Sequence, residues 1–120
     1  MCVRFILCHL QAFYFDREDV AFPGAHKFFK KSSDEEREHA ELLMKFQNQR
    51  GGTICLKNIQ KPERDSWGTL LDAFKAALSL EKNVNQSLLD IHKLADGHGD
   101  AQVKNNLLKL LLNFINCLWM

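Results

Sequence analysis

Helix-breaking residues are rare in this chain, and their positions limit it to a few long helical segments. Only six glycines and two prolines occur in 120 residues. Pro23-Gly24 marks one break, Gly51-Gly52 a second, Pro62 sits in a polar connector, and Gly97 with Gly99 marks a third. The stretches between carry helical periodicity. They predict four helices, at about 3–16, 22–50, 68–96 and 101–118. Outside Thr53-Ile54 there are few β-branched runs, so strands are not the main element. The predicted class is all-α. The connector from Gly51 to about Ser66 is long for a helical bundle, where most joints are short. Such a connection lets two consecutive helices run parallel, as in a bundle with a crossover.

Composition excludes several function classes. Hydrophobic residues make up 46% and charged residues 26%, the balance of one globular domain over 1–120. A net charge of +1 offers no electrostatic argument for nucleic acid or an anionic membrane. Cys2, Cys8, Cys55 and Cys117 form no CxxC pair and no zinc spacing with histidine. They read as free thiols in a reducing compartment. The apolar run of MCVRFILCHLQAF is broken by Arg4, His9 and Gln11, with no small-residue cleavage site after it. The C-terminal LLKLLLNFINCLWM is too short and interrupted to span a bilayer. The cytosol is the default location.

Chemistry concentrates on the second predicted helix. Asp34, Glu35, Glu36, Glu38 and Glu41 surround His39. At about 100° per residue, with Glu35 at zero, Phe28, Phe46, Leu42, Ala25 and Leu43 define an apolar stripe centred near 30–40°. His39 falls in its middle, Glu35 inside it and Glu36 at one margin. Glu38 and Glu41 fan away onto a neighbouring face. On the third helix Glu81 falls at the centre of the stripe made by Phe74, Leu70, Leu88, Ala77 and Leu78. Lys75, Lys82, Lys93, Asp72 and Asp90 form an ordinary wet face there.

A lone ionised glutamate inside a bundle costs several kcal/mol or protonates. Two helices that aim carboxylates inward need a cation between them. A metal ion answers that need, because carboxylate and imidazole are its ligands. Glu36-x-x-His39 has the spacing of di-iron carboxylate bundles. Two bland readings stay open beside it. Glu36 and Glu81 can each meet a core lysine or arginine. Ser32 and Ser33 can form capping boxes with Glu35 and Glu36, which would start a helix there.

The stretches YFDREDVA at 14–21, EEREHAELLMKFQNQRGG at 35–52 and LEKNVNQSLLDIHKLA at 80–95 resemble ferritin, in particular the heavy, ferroxidase-bearing type. The resemblance runs over about 13–102. It implies a ferritin-like four-helix bundle with a long crossover between helices two and three. It also implies oxidation of Fe(II) by dioxygen at a di-iron site and storage of ferric mineral inside a shell of many subunits. By resemblance, Glu36 is the bridging carboxylate, His39 a ligand of the first iron, Glu81 a ligand of the second, and Glu35 an accessory. The mineral-nucleating acids match Glu35, Glu38 and Glu41. The implied partners are iron (Fe2+/Fe3+), dioxygen and ferritin subunits in a homo- or hetero-oligomeric shell.

Both ends depart from that pattern, so the first and fourth helices are truncated or altered. Counted without gaps, the family's first-helix glutamate falls at Met1 and a site tyrosine at Cys8. A site glutamine falls at Ile115, and two acids of the channels that admit iron fall at Asn105 and Leu108. The tail 103–120 is replaced. His9 is the candidate substitute ligand on the first helix, against its reading as a core-margin histidine. Asn105, Lys109, Asn113 and Asn116 line one side of the tail, whose broad apolar face can close the bundle or stay exposed. Three functions follow. The chain is a ferroxidase acting through Glu36, His39 and Glu81, the reading the resemblance leans to. Or it is a non-catalytic iron binder acting through Glu35, Glu38 and Glu41. Or it is a structural variant.

Overall fold

A computed structural model describes residues 2–62 and 64–118, with side chains from residue 3 to residue 112. It contains four helices, α1 (Cys2–Phe15), α2 (Pro23–Gln49), α3 (Leu70–Gly97) and α4 (Ala101–Leu118). No strand occurs among the described residues. The all-α class and the four expected segments are as the breakers predict, with ends within two residues. Contacts divide the chain into two compact units, 1–77 and 78–120.

In the first unit, α1 packs against α2. Arg4, Leu7, Cys8, Gln11, Ala12 and Phe15 are buried, a spacing of three and four that makes one helix face. The two helices run antiparallel. Arg4 meets Glu36, Ser33 Oγ donates to Phe5 O at 3.2 Å, and His26 Nδ1 lies 2.9 Å from Ala12 O. Ser32 and Ser33 are buried in mid-helix, so the capping boxes do not form there. Their small side chains let α1 approach closely instead.

Pro23 opens α2 where a missing N–H costs nothing. At the far end Gly51 takes φ +72°. The Gly51 N–H donates to Asn48 O and the Gly52 N–H to Gln47 O, at 3.1 and 3.0 Å. This is a Schellman cap, and its left-handed residue favours glycine. Nothing lies within 4 Å of a Cβ at Gly51, so Gly51→Ala tests backbone strain alone. It should lower the unfolding free energy by about 1 kcal/mol, read from urea denaturation.

The connector then brings the chain back to the start of α2. Phe74, in the first turns of α3, meets Phe28 and Phe29 at 5.2 and 5.1 Å. Those residues lie near the start of α2, about 34 Å from Gly51 along a helix rising 1.5 Å per residue. This is the long crossover that the sequence predicts. Gln11 Nε2 donates to Ala73 O at 2.9 Å, and Trp67 is buried beside this junction in sequence. Thr69 and Asp72 form a reciprocal capping box at the start of α3: Thr69 Oγ1 accepts the Asp72 N–H, and Asp72 Oδ2 accepts from Thr69. The Thr69 hydroxyl holds the Asp72 carboxyl below its ordinary value.

In the second unit, α3 buries Glu81, Val84, Leu88 and Ala95, again at helical spacing. Asp100 Oδ1 accepts the Val103 N–H at 3.1 Å and caps α4. The tail forms the amphipathic helix expected of it as far as side chains are described. Leu107, Leu110 and Leu111 are buried, while Asn105 and Lys109 are exposed.

Candidate metal centre

The buried face of α2 is Ala25, Phe29, Ser32, Ser33, Glu36 and His39. Glu36 sits at its centre, about 60° from where hydropathy alone puts the stripe. Phe28 and Leu42, which define the expected stripe, are 41% and 53% exposed. The face is set by contact with α1, and small serines fill it as well as large apolar residues do. Glu35 is half-buried at the edge, with Lys31 Nζ 3.6 Å from its Oε1. Glu38 and Glu41 are exposed, as the helical angles predict. Glu81 is buried, 7% exposed, on the part of α3 that belongs to the second unit.

Glu36 is 1% exposed and has two polar partners on one oxygen. Arg4 Nη1 donates to Oε1 in a buried ion pair. His39 Nδ1 lies 3.1 Å from the same Oε1. A carboxylate only accepts, so Nδ1 carries a proton in this contact and Nε2 is the imidazole atom left for a ligand. Glu36 Oε2 is buried without a hydrogen-bond partner among the described residues. The i, i+3 spacing therefore brings Glu36 and His39 together, as the sequence predicts.

Arg4 is the residue that matters most here and that the metal reading did not anticipate. Its signal was its position: a charged residue at helical spacing with Leu7, Cys8 and Gln11. The alternative in which a core arginine meets Glu36 is the one realised. His9 does not reach Glu36. Its ring lies between Phe5 and Phe13, at 5.8 and 4.9 Å between centroids, and Nδ1 is 3.5 Å from Ser33 Oγ. Cys8 is buried. Met1 lies outside the described residues, as do Trp119, Met120 and the Ile115 side chain.

Within the first unit, Glu36 and His39 are two potential ligands with a cation already bound to one of them. Among the described residues no group of three or more His, Cys, Asp or Glu side chains gathers in a way that could hold a metal ion. Glu36 already has its positive charge. No helix among the described residues is long and apolar enough to cross a membrane.

Comparison with known proteins places this geometry. Residues 5–120 match the family model of the ferritin-like domain. Soma ferritin of Lymnaea stagnalis is 67% identical over 92 residues, which are 77% of this chain and 53% of that protein. The ferritin middle subunit of Salmo salar is 60% identical over 92 residues, 77% of this chain and 52% of its own length. The corresponding subunit of Aquarana catesbeiana is 62% identical over 90 residues, 75% and 51%. The chain thus spans about half the length of these relatives. A match that covers nearly the whole chain, and four helices with no strand among the described residues, lead to one assignment: the chain belongs to the ferritin family.

Proposed function

We propose that this chain binds and stores iron as a single ferritin-like domain over 1–120. The observation that carries the reading is the divided acidic cluster of α2 in a chain of this family. Glu38 and Glu41 are exposed with Glu35 at the edge, and Glu36 and His39 are buried on the other side. Carboxylate oxygens on a hydrated face suit a hard cation such as Fe(III), and they are the side chains for mineral nucleation. The family's reaction, oxidation of Fe(II) by dioxygen, would draw on Glu36, His39 and Glu81, with Glu35 as accessory. A second reading, iron binding without oxidation, is favoured by one observation: Glu36 is already paired with Arg4.

Further ferritin subunits are the partners proposed, in a homo- or hetero-oligomeric shell. The exposed Phe28 and Leu42 give α2 an apolar flank for them. The free, exposed thiol of Cys55 is consistent with a cytoplasmic location.

Fe(II) added in air to the full chain tests both readings through ferric absorbance and iron retained after desalting. Iron retention should fall severalfold in Glu38→Ala/Glu41→Ala. Rapid oxidation lost in both Glu36→Ala and Glu81→Ala would support the ferroxidase reading. Oxidation at the rate of buffer, unchanged in those variants, would leave iron binding alone. Circular dichroism confirms that each variant is folded.

A further inference from the structure

The buried carboxylate of Glu36 demands a cation, and the one present is part of the chain. Arg4 is 4% exposed and reaches Glu36 from α1. A guanidinium is charged at every accessible pH, so this compensation is permanent. Arg4 and His39 both direct a proton at Oε1, so no metal ion can sit between that oxygen and Nδ1 while those protons are in place. The register of α1 on α2 fixes the arrangement, since the neighbouring contact between Phe5 O and Ser33 Oγ belongs to the same antiparallel pairing.

We infer that Arg4 is a built-in counter-cation that stands where a divalent metal ion would act, and that it closes the Glu36–His39 pair to metals. A metal ion approaching Glu36 meets a fixed positive charge at hydrogen-bond distance from the same oxygen. Inside a buried site water does little to screen that repulsion. Binding therefore requires Arg4 to leave Oε1. Once Arg4 is gone, that fixed charge no longer opposes a metal ion, and one that displaces the proton between Oε1 and Nδ1 can lie between the two side chains. This deepens the second reading of the proposed function, iron binding without oxidation, by saying what keeps metals from the buried pair. It rests on that reading only for iron as the natural ion.

Co(II) is the probe, titrated into the full chain without oxygen. The readout is the proton resonances of the His39 ring, which move far outside the diamagnetic range when the imidazole ligates Co(II). In the unsubstituted chain these resonances should show no contact shift at Co(II) levels that occupy the exposed acids, moving only by the small through-space shift of a nearby, unligated ion. In Arg4→Met they should shift, with at least tenfold tighter Co(II) binding, and the added change Glu36→Gln should abolish the gain. Arg4→Lys keeps the cation and should behave as the unsubstituted chain. Contact-shifted His39 signals in the unsubstituted chain at the Co(II) level that produces them in Arg4→Met would overturn the inference. So would a folded Arg4→Met chain with no gain in Co(II) binding. If Arg4→Met does not fold without metal, recovery of its circular dichroism by Co(II) supports the inference, and no recovery overturns it. Absence of Co(II) from Glu38 and Glu41 would instead count against the iron-storage reading alone.

Discussion

Replacing Arg4 with methionine should lower the unfolding free energy by about 3–5 kcal/mol, because it leaves a buried carboxylate without its cation. Methionine keeps much of the side-chain volume, so little of the loss comes from packing. Glu36 retains only the contact from His39, and its Oε2 is without a partner among the described residues. Removing both charges should have the opposite character. In Arg4→Met/Glu36→Leu the desolvation of two ions disappears with their attraction. That double variant should fall within about 1 kcal/mol of the unsubstituted chain or exceed it. Urea denaturation of the four chains gives the coupling energy directly. A double variant as unstable as Arg4→Met alone would show that the single loss reflects packing of the arginine stem, not an orphaned charge. The size of the effect matters because a domain of this length has a total stability of only about 5–15 kcal/mol.

That ion pair also shows where the sequence stops being legible. Helix existence was readable because glycine and proline mark the breaks, and each break is local. The inward position of Glu81 was readable for the same reason. Val84 and Leu88 lie on its own helix at fixed angles, and all three are buried. The partner of Glu36 is a different kind of fact. It depends on which residue of α1 stands opposite, and that register comes from the packing of two helices. Periodicity gives an angle on one helix and no partner on another. Hydropathy also misplaced the centre of the α2 stripe. It weighted Phe28 and Leu42, which are exposed, over Ser32 and Ser33, which are buried. Serine scores as polar, yet two serines in a helix interface are narrow, and Ser33 satisfies its hydroxyl on Phe5 O. The acids beyond the interface, Glu38 and Glu41, needed no partner to be placed and were placed correctly.

The other large effect should come from Phe29→Ala. Phe29 has no exposed surface and stacks on Phe15 at 5.7 Å with planes 11° apart. It also meets Phe28 at 5.3 Å and Phe74 at 5.1 Å. One ring thus joins α1, α2 and the first turns of α3. Truncation to alanine removes the buried ring and leaves a cavity that three rigid helices cannot fill, at a cost of about 3–5 kcal/mol. Phe28 is the control, because at 41% exposure it has less to lose. Phe28→Ala should cost about 1 kcal/mol or less. With Trp119 replaced by phenylalanine in every chain compared, fluorescence of the buried Trp67, just before α3, reports the same region during urea denaturation. Phe29 and Glu36 are seven residues apart on one helix, about 10 Å along its axis. At that separation Phe29→Ala and Arg4→Met should add to within about 0.5 kcal/mol. Additivity would mean that the aromatic junction holds the crossover in place regardless of the charge state of the ion pair. A coupling well above that limit would mean that the two share one α1–α2 register, so that loosening the rings also releases Arg4 from Glu36.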